Sequence, residues 1–278
     1  MPDRGNYAVF GHPIEHSRSP YIHGLFAEQT GQSDFKYAAW DVPPEQFESC
    51  IQEFITGGGK GLNCTIPLKE LAFEISNQTS DRAARCGAVN TLSVREDGSL
   101  FGDNTDGVGL VRDLTDNLQL ALNDLDILIL GAGGATRGIL GPILASNPHS
   151  VFIANRSVAK ADALVEKFGE YRILSALGLD QLDGRKFDLI LNATAASLSG
   201  DLPPLPDSLL KPAGTCYDLA YASRATPFVE WGRRHGATIS VDGIGMLVEQ
   251  AAEAFRKWRG IAPDTKPVIE TLQKERAV

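Results

Sequence analysis

Asp126-Ile127-Leu128-Ile129-Leu130-Gly131-Ala132-Gly133-Gly134-Ala135-Thr136-Arg137-Gly138 is the stretch that decides the fold. An apolar run of strand length leads straight into a glycine-rich turn, and a helical stretch follows. Gly131 permits the tight turn. Gly133 lets a pyrophosphate approach the backbone, and the helix N-terminus behind it favours negative charge. A strict G-x-G-x-x-G would place its third glycine at 136, where Thr stands. Ala135 and Gly138 still allow close helix packing, so the stretch reads as a variant fingerprint, with Gly131, Gly133, Gly134 and Ala135 as candidate cofactor contacts. A glycine turn alone is a weak signal; its place between a strand and a helix strengthens it.

Further along, Val151-Ala154 is a second strand, followed by a helix through Ala159-Phe168. Phe187-Leu191, Thr215-Leu219 and Thr238-Val241 are further short strands. This β-α-β-α punctuation predicts a Rossmann-like doubly wound sheet. Leu202-Pro-Pro-Leu-Pro206 reads as a loop inside it. At the end of the second strand an NAD-binding fold usually carries Asp or Glu for the ribose 2′-hydroxyl. Here Asn155, Arg156 and Ser157 stand there, with Lys160 one turn on. A guanidinium can bind a 2′-phosphate with two hydrogen bonds, where a carboxylate would repel it. The expected cofactor is therefore NADP(H); the plain alternative is two solvated surface charges.

Before this region, residues 1 to about 105 hold short apolar runs (Tyr7-Phe10, Tyr37-Trp40, Gly61-Thr65, Val89-Val94) separated by helical patterns. Phe47, Cys50, Ile51, Phe54 and Ile55 fall on one helix face. A mostly parallel or mixed sheet is expected. After it, Leu247, Val248, Ala251, Ala252, Phe255 and Trp258 share a face of a helix whose natural partner is the N-terminal domain. The predicted organisation is α/β with two domains: residues 1–106 with 245–278, discontinuous, and residues 107–244, the dinucleotide-binding domain.

The chain has 278 residues, a net charge of −9, 43% hydrophobic and 22% charged residues. That is the mix of a globular protein able to bury a core without disulfides. An acidic average argues against general nucleic-acid binding, which needs a basic surface. No apolar run approaches a membrane span, and the first residues lack a secretory signal. Four cysteines without a Cys-x-x-Cys pair read as free thiols in a reducing, cytoplasmic setting.

Two motifs fail on context. His12-Pro-Ile-Glu-His16 matches an inverted zinc-protease pattern, but Gly11, Pro13 and Pro20 forbid the helix that would bring both imidazoles to one face. No metal is expected. Gly57-Gly-Gly-Lys60-Gly61 is not a P-loop, because no Ser or Thr and no helix follow Lys60. More telling are Ser17 and Ser19 before a helix starting near Pro20, able to cap it or hold a carboxylate. Lys69 lies in a first helical turn, against the helix dipole. Gly87-Ala-Val-Asn90-Thr91 and Gly102-Asp-Asn-Thr-Asp106-Gly107 put polar groups in turns at strand ends, and either alone is ordinary turn chemistry.

Taken together, these stretches resemble the shikimate dehydrogenases over nearly the whole chain. The matching motifs are Gly11-x-Pro13-Ile14-x-His16-Ser17-x-Ser19-Pro20-x-Ile22-His23, Asn63-Cys64-Thr65-Ile66-Pro67-x-Lys69, Gly87-to-Thr91, Gly102-x-Asn104-Thr105-Asp106-Gly107, Gly131-to-Ala135 and Gly243-x-Gly245-Met246-Leu247-Val248-x-Gln250-Ala251. The resemblance implies NADPH-dependent, reversible reduction of 3-dehydroshikimate to shikimate in chorismate and aromatic amino-acid biosynthesis. It implies Lys69 and Asp106 as the catalytic pair. Ser17 and Ser19 would take the substrate carboxylate, and Thr65, Asn90, Tyr217 and Gln250 would hold ring hydroxyls or the carboxylate. Gly243 joins the cofactor contacts. The N-terminal domain with the C-terminal helices becomes the substrate domain. A small-molecule partner is implied, and a homodimer is compatible with it.

Departures are Cys64 for the usual Val, Ser157 for Thr, Lys160 for Arg, and Ala195-Ala196-Ser197 for Ser-Ser-Gly. Alternative readings are a quinate/shikimate dehydrogenase with broader substrate and NAD use, a non-catalytic sensor of the same fold, and a Rossmann methyltransferase. Lys69, Asp106 and Arg156 argue against the last two.

Overall fold

The computed structural model describes residues 5–276. The elements follow in chain order: β1 (Tyr7–Gly11), α1 (Ser19–Gln29), β2 (Tyr37–Asp41), α2 (Phe47–Thr56), β3 (Gly61–Cys64), α3 (Lys69–Glu74), β4 (Gln78–Thr79), α4 (Asp81–Cys86), β5 (Thr91–Val94), β6 (Leu100–Asp103) and α5 (Asp106–Arg112). Then come β7 (Asp126–Leu130), α6 (Gly134–Ala145), β8 (Ser150–Asn155), α7 (Val158–Lys167), β9 (Leu174–Gly178), β10 (Phe187–Asn192), β11 (Leu210–Asp218), α8 (Pro227–Arg234), β12 (Ile239–Asp242), α9 (Ile244–Arg259) and α10 (Lys266–Arg276).

The chain divides into two compact units. Unit 1 is Met1–Gly109 with Leu247–Thr271; unit 2 is Leu110–Met246 with Leu272–Val278. The divisions fall inside α5, α9 and α10. The sequence assigns residues 245–278 whole to the first domain. The end of α10 instead groups with unit 2, where Arg276 pairs with the Asp242 carboxylate.

In unit 1 six strands form one mixed sheet in the order β2-β1-β3-β5-β6-β4. β1 runs parallel to β2 and β3, while β5 is antiparallel to both β3 and β6. This geometry decides where polar residues gather. β1, β3 and β6 end, and β5 begins, on the same edge of the sheet: Phe10 pairs with Cys64, Asn63 with Thr91, and Thr91 with Asp103. One sheet face buries Phe10, Leu62 and Leu92 against Phe47, Ile51 and Phe54 of α2. An aromatic cluster of Tyr7, Phe35, Phe255 and Trp258 forms a second core, with Tyr7 stacked on Phe35 at 4.2 Å.

Unit 2 is an all-parallel sheet in the order β12-β11-β10-β7-β8-β9. That is the doubly wound order, with its topological switch between β7 and β10. Both faces are covered, which explains the unbroken apolar run Ile127-Leu128-Ile129-Leu130. Ile127 and Ile129 pack with Ile139 and Ile143 of α6, while Leu128 and Leu130 pack with Phe228 and Trp231 of α8. β9, which none of the expected strands includes, completes the sheet beside β8.

Candidate active site

In unit 1, four segments leave the same end of the sheet, and side chains from three of them, after β3, at the start of β5 and after β6, meet. The Lys69 Nζ donates to Asp106 Oδ2 at 2.5 Å. The lysine side chain is 25% exposed and the carboxylate 10%, so the pair is sheltered yet reachable. Lys69 opens α3, whose approach is pinned by fully buried Leu68 and by the Leu68 amide donating to the Thr65 carbonyl at 2.7 Å. Asp106 opens α5, and its amide donates to Asn104 Oδ1.

The other Asp106 oxygen accepts from Asn90 Nδ2 at 2.7 Å. Asn90 also lies within 3.0 Å of Thr105 Oγ1 and 3.4 Å of Gln250 Oε1. Gln250 is tethered by its own Nε2 to the Leu247 carbonyl. Ser17 and Ser19 follow the end of β1; the Ser19 amide donates to Ser17 Oγ, and Ser19 is buried. Thr65 follows the end of β3 and backs on Gly11, where a Cβ would strike its methyl group. Residues 12–18 form bends and turns and no helix, so His12 and His16 do not share a helix face.

At the end of β6 lies an ionic cluster that no sequence motif announces. Asp103, fully buried, accepts from Arg82, Ser80, Lys257 and the Asn104 amide at 2.5–2.7 Å. Burial opposes its ionisation, but these partners hold its carboxyl well below the usual range.

In unit 2, Gly131 takes φ +99°, a left-handed conformation, with Ala193 and Thr194 close against it. Thr136, at the place of the third glycine, is buried and donates from Oγ1 to the Gly131 carbonyl at 2.7 Å, tying the turn shut. Gly133 caps α6 with no side-chain acceptor, and a Cβ built there would meet nothing. Gly133, Gly134 and Ala135 are exposed. The N-terminus of a twelve-residue helix thus stands open, the geometry a pyrophosphate needs. Asn155 ends β8 and donates to the Ser157 carbonyl. Arg156 and Lys160 are exposed, with no ion pair to the protein among the described residues. These residues fit NADP(H).

The family description "Shikimate dehydrogenase substrate binding domain" matches residues 9–92, "Shikimate / quinate 5-dehydrogenase" residues 113–199, and "Shikimate 5'-dehydrogenase C-terminal domain" residues 243–273. The shikimate dehydrogenase (NADP(+)) of Methylococcus capsulatus is 64% identical over 276 residues, 99% of this chain and 98% of that one. The chain belongs to the shikimate dehydrogenase family. A second relative, the shikimate dehydrogenase (NADP(+)) of Alkalilimnicola ehrlichii, is 55% identical over 99% of this chain and all of its own. The crystal structure of shikimate 5-dehydrogenase from Thermus thermophilus in complex with NADP(H) and shikimate superimposes with a TM-score of 0.86 at 35% identity, covering 96% of this chain and 98% of that one.

Tyr217, which the resemblance assigns to the substrate, lies elsewhere. Tyr217 sits in mid-sheet, paired with Leu191 and Val241, and is fully buried in the unit 2 core. Its hydroxyl donates to Asp113 Oδ2 at 2.7 Å and accepts from the Met246 amide. Burial raises the phenol well above its ordinary pKa. With its hydroxyl engaged inside the core, Tyr217 offers nothing to a substrate. Tyr221, four residues on and past the strand end, is only half-buried.

Gly243 is buried and abuts the Leu219 carbonyl, where a Cβ would collide. The departure at Ser197 also has a structural role. Its hydroxyl donates to buried Asp218 at 2.5 Å, alongside Thr226, Asn192 and the Ala220 amide.

Proposed function

We propose that this chain catalyses the reversible NADP(H)-dependent interconversion of 3-dehydroshikimate and shikimate, with Lys69 and Asp106 as its acid–base pair. The observation that carries this reading is the sheltered 2.5 Å contact between those two side chains at a sheet edge crowded with hydrogen-bonding groups. Asn155, Arg156, Ser157 and Lys160 would hold the 2′-phosphate, and the amides around Gly133, Gly134 and Ala135 the pyrophosphate. Gly131 and Gly243 let neighbouring backbone segments come close. When bound, NADPH supplies the hydride for the ketone carbon.

The chain's own residues handle the oxygen. As negative charge grows there, the Lys69 ammonium donates to it and delivers the proton. Asp106 fixes the ammonium and, through Asn90, is itself fixed. In the oxidation direction the pair accepts the hydroxyl proton. Ser17 and Ser19 bind the carboxylate; Thr65, Asn90 and Gln250 orient ring hydroxyls.

Purified protein should reduce NADP+ in the presence of shikimate and fail with quinate plus NAD+. Lys69→Ala should lower kcat by ~10²–10⁴, the worth of a positioned acid–base group, with little change in KM. A variant within about threefold of wild type, far short of that loss, would remove Lys69 from the chemistry.

A further inference from the structure

Behind the catalytic carboxylate runs a line of buried polar groups that the reaction as described does not use. Tyr37 OH lies 2.6 Å from Asn63 Oδ1, and Asn63 Nδ2 lies 3.0 Å from Thr91 Oγ1. Thr91 Oγ1 lies 2.8 Å from Asn90 Oδ1, and Asn90 Nδ2 lies 2.7 Å from Asp106 Oδ1. Asn63, Thr91, Asn90 and Asp106 are at most 7% exposed.

The direction of every bond is forced by main-chain groups. Asn63 Nδ2 also reaches the Asn90 carbonyl oxygen at 3.1 Å, which can only accept, so the amide nitrogen must be on that side. Asn90 Oδ1 also faces the Thr105 amide at 2.9 Å, which can only donate, so the amide oxygen must be on that side. Thr91 therefore receives from Asn63 and gives to Asn90. Tyr37, facing the Asn63 oxygen, can only give. Donors run one way, from Tyr37 through Asn63, Thr91 and Asn90 to the Asp106 carboxylate, where Lys69 closes the far side.

The geometry points to Tyr37, Asn63 and Thr91 as positioning residues that orient Asn90 and, through it, aim the Asp106 carboxylate at Lys69. Hydrogen bonds in such a line polarise one another, so the last bond, to the carboxylate, gains from all those behind it. Thr91 is the link in this line: it accepts from Asn63 and donates to Asn90 Oδ1, which the Thr105 amide and hydroxyl also face. None of the three touches the reacting atoms.

This inference rests on Asp106 being one of the catalytic pair, so Lys69→Ala and Asp106→Asn are measured alongside. Wild-type turnover in both would end that reading, and this inference with it. The specific test is the pair Thr91→Val and Thr91→Ser. Valine keeps the shape and removes the hydroxyl; serine keeps the hydroxyl.

Thr91→Val should lose about tenfold in kcat for shikimate oxidation, the worth of one such bond, while KM for NADP+ holds. Thr91→Ser should retain most of the wild-type rate. Tyr37→Phe, which cuts the chain at its start, should lose about threefold, less because its bond is remote from the carboxylate. It also decides the matter should Thr91→Val fail to fold. Equal losses in the valine and serine variants, or wild-type kcat in Tyr37→Phe and Thr91→Val, would overturn the inference.

Discussion

His23 should make unit 1 acid-labile in a window where the carboxylates are still silent. The imidazole is fully buried, and neither ring nitrogen meets hydrogen-bond geometry with a partner among the described residues, although Asn63 partly opposes the effect of burial. It lies flat on Tyr37 at 4.1 Å and within 6.3 Å of the rings of Phe26, Phe35, Phe255 and Trp258. Burial lowers its pKa from 6.5 to about 3. The unfolded chain therefore takes up a proton near pH 6.5, and the native chain does not until about pH 3. Native stability is complete above the upper value and drains as pH falls, at roughly 1.4 kcal/mol per pH unit.

Between pH 7.5 and pH 5 the loss assigned to this one ring is about 2 kcal/mol. His23→Phe removes the titration and keeps an aromatic ring in the stack. Its larger ring will shift absolute stability, so the readout is the difference between the two pH values in each protein. Urea unfolding followed by tryptophan fluorescence suits this, because Trp40 and Trp258 both report on unit 1. Wild type should lose about 2 kcal/mol more than the variant over that interval. Parallel losses in the two proteins would mean that the native ring is protonated near neutrality, and the buried-neutral assignment would fail.

Ser17→Ala with Ser19→Ala should raise KM for shikimate by at least ~10-fold, since each removes a hydrogen bond to a carboxylate, and should leave NADPH affinity unmoved in a fluorescence titration. Arg156→Ala should weaken NADPH by ~1.5–3 kcal/mol and spare NADH, with a smaller penalty at high salt; equal weakening of both cofactors would refute the 2′-phosphate assignment. Lys257→Met removes one cation from Asp103, whose carboxyl is held below the ordinary range. Stability from that group is present above about pH 4 and lost on acidification, so wild type should show the steeper loss below that pH in circular dichroism.

The doubly wound unit was legible because its strands are buried on both faces and its glycine turn sits where a strand meets a helix. What escaped were elements without an apolar signature. Leu174-Ser-Ala-Leu-Gly178 has no clear alternation, and its place beside β8 comes from pairing alone. Leu100-Phe-Gly-Asp103 ends in a buried acid, which reads as a turn until Arg82 and Lys257 are seen around it. The end of α10 groups with unit 2, where Arg276 pairs with Asp242 across 34 residues, a contact that no local pattern announces.

At the site, sequence motifs named residues but not their relations. Asn90, Thr91, Asn104 and Thr105 each look like turn formers, and individually nothing separates them from any Asx or Thr in a loop. Strand polarity makes them one site: β5 begins where β3 and β6 end, so three turns distant in sequence share one edge. Tyr217 shows the converse error. The resemblance assigns it to the substrate without a matched motif, but its strand position, paired with Leu191 and Val241, sends the side chain into the core. The proposed catalytic pair was named by the family resemblance; from the residues alone, only Lys69 stood out, because it opposes its own helix dipole. Asp106 provides a compensating anion at 2.5 Å, so the least favourable placement in the local sequence is also the one closest to the proposed chemistry.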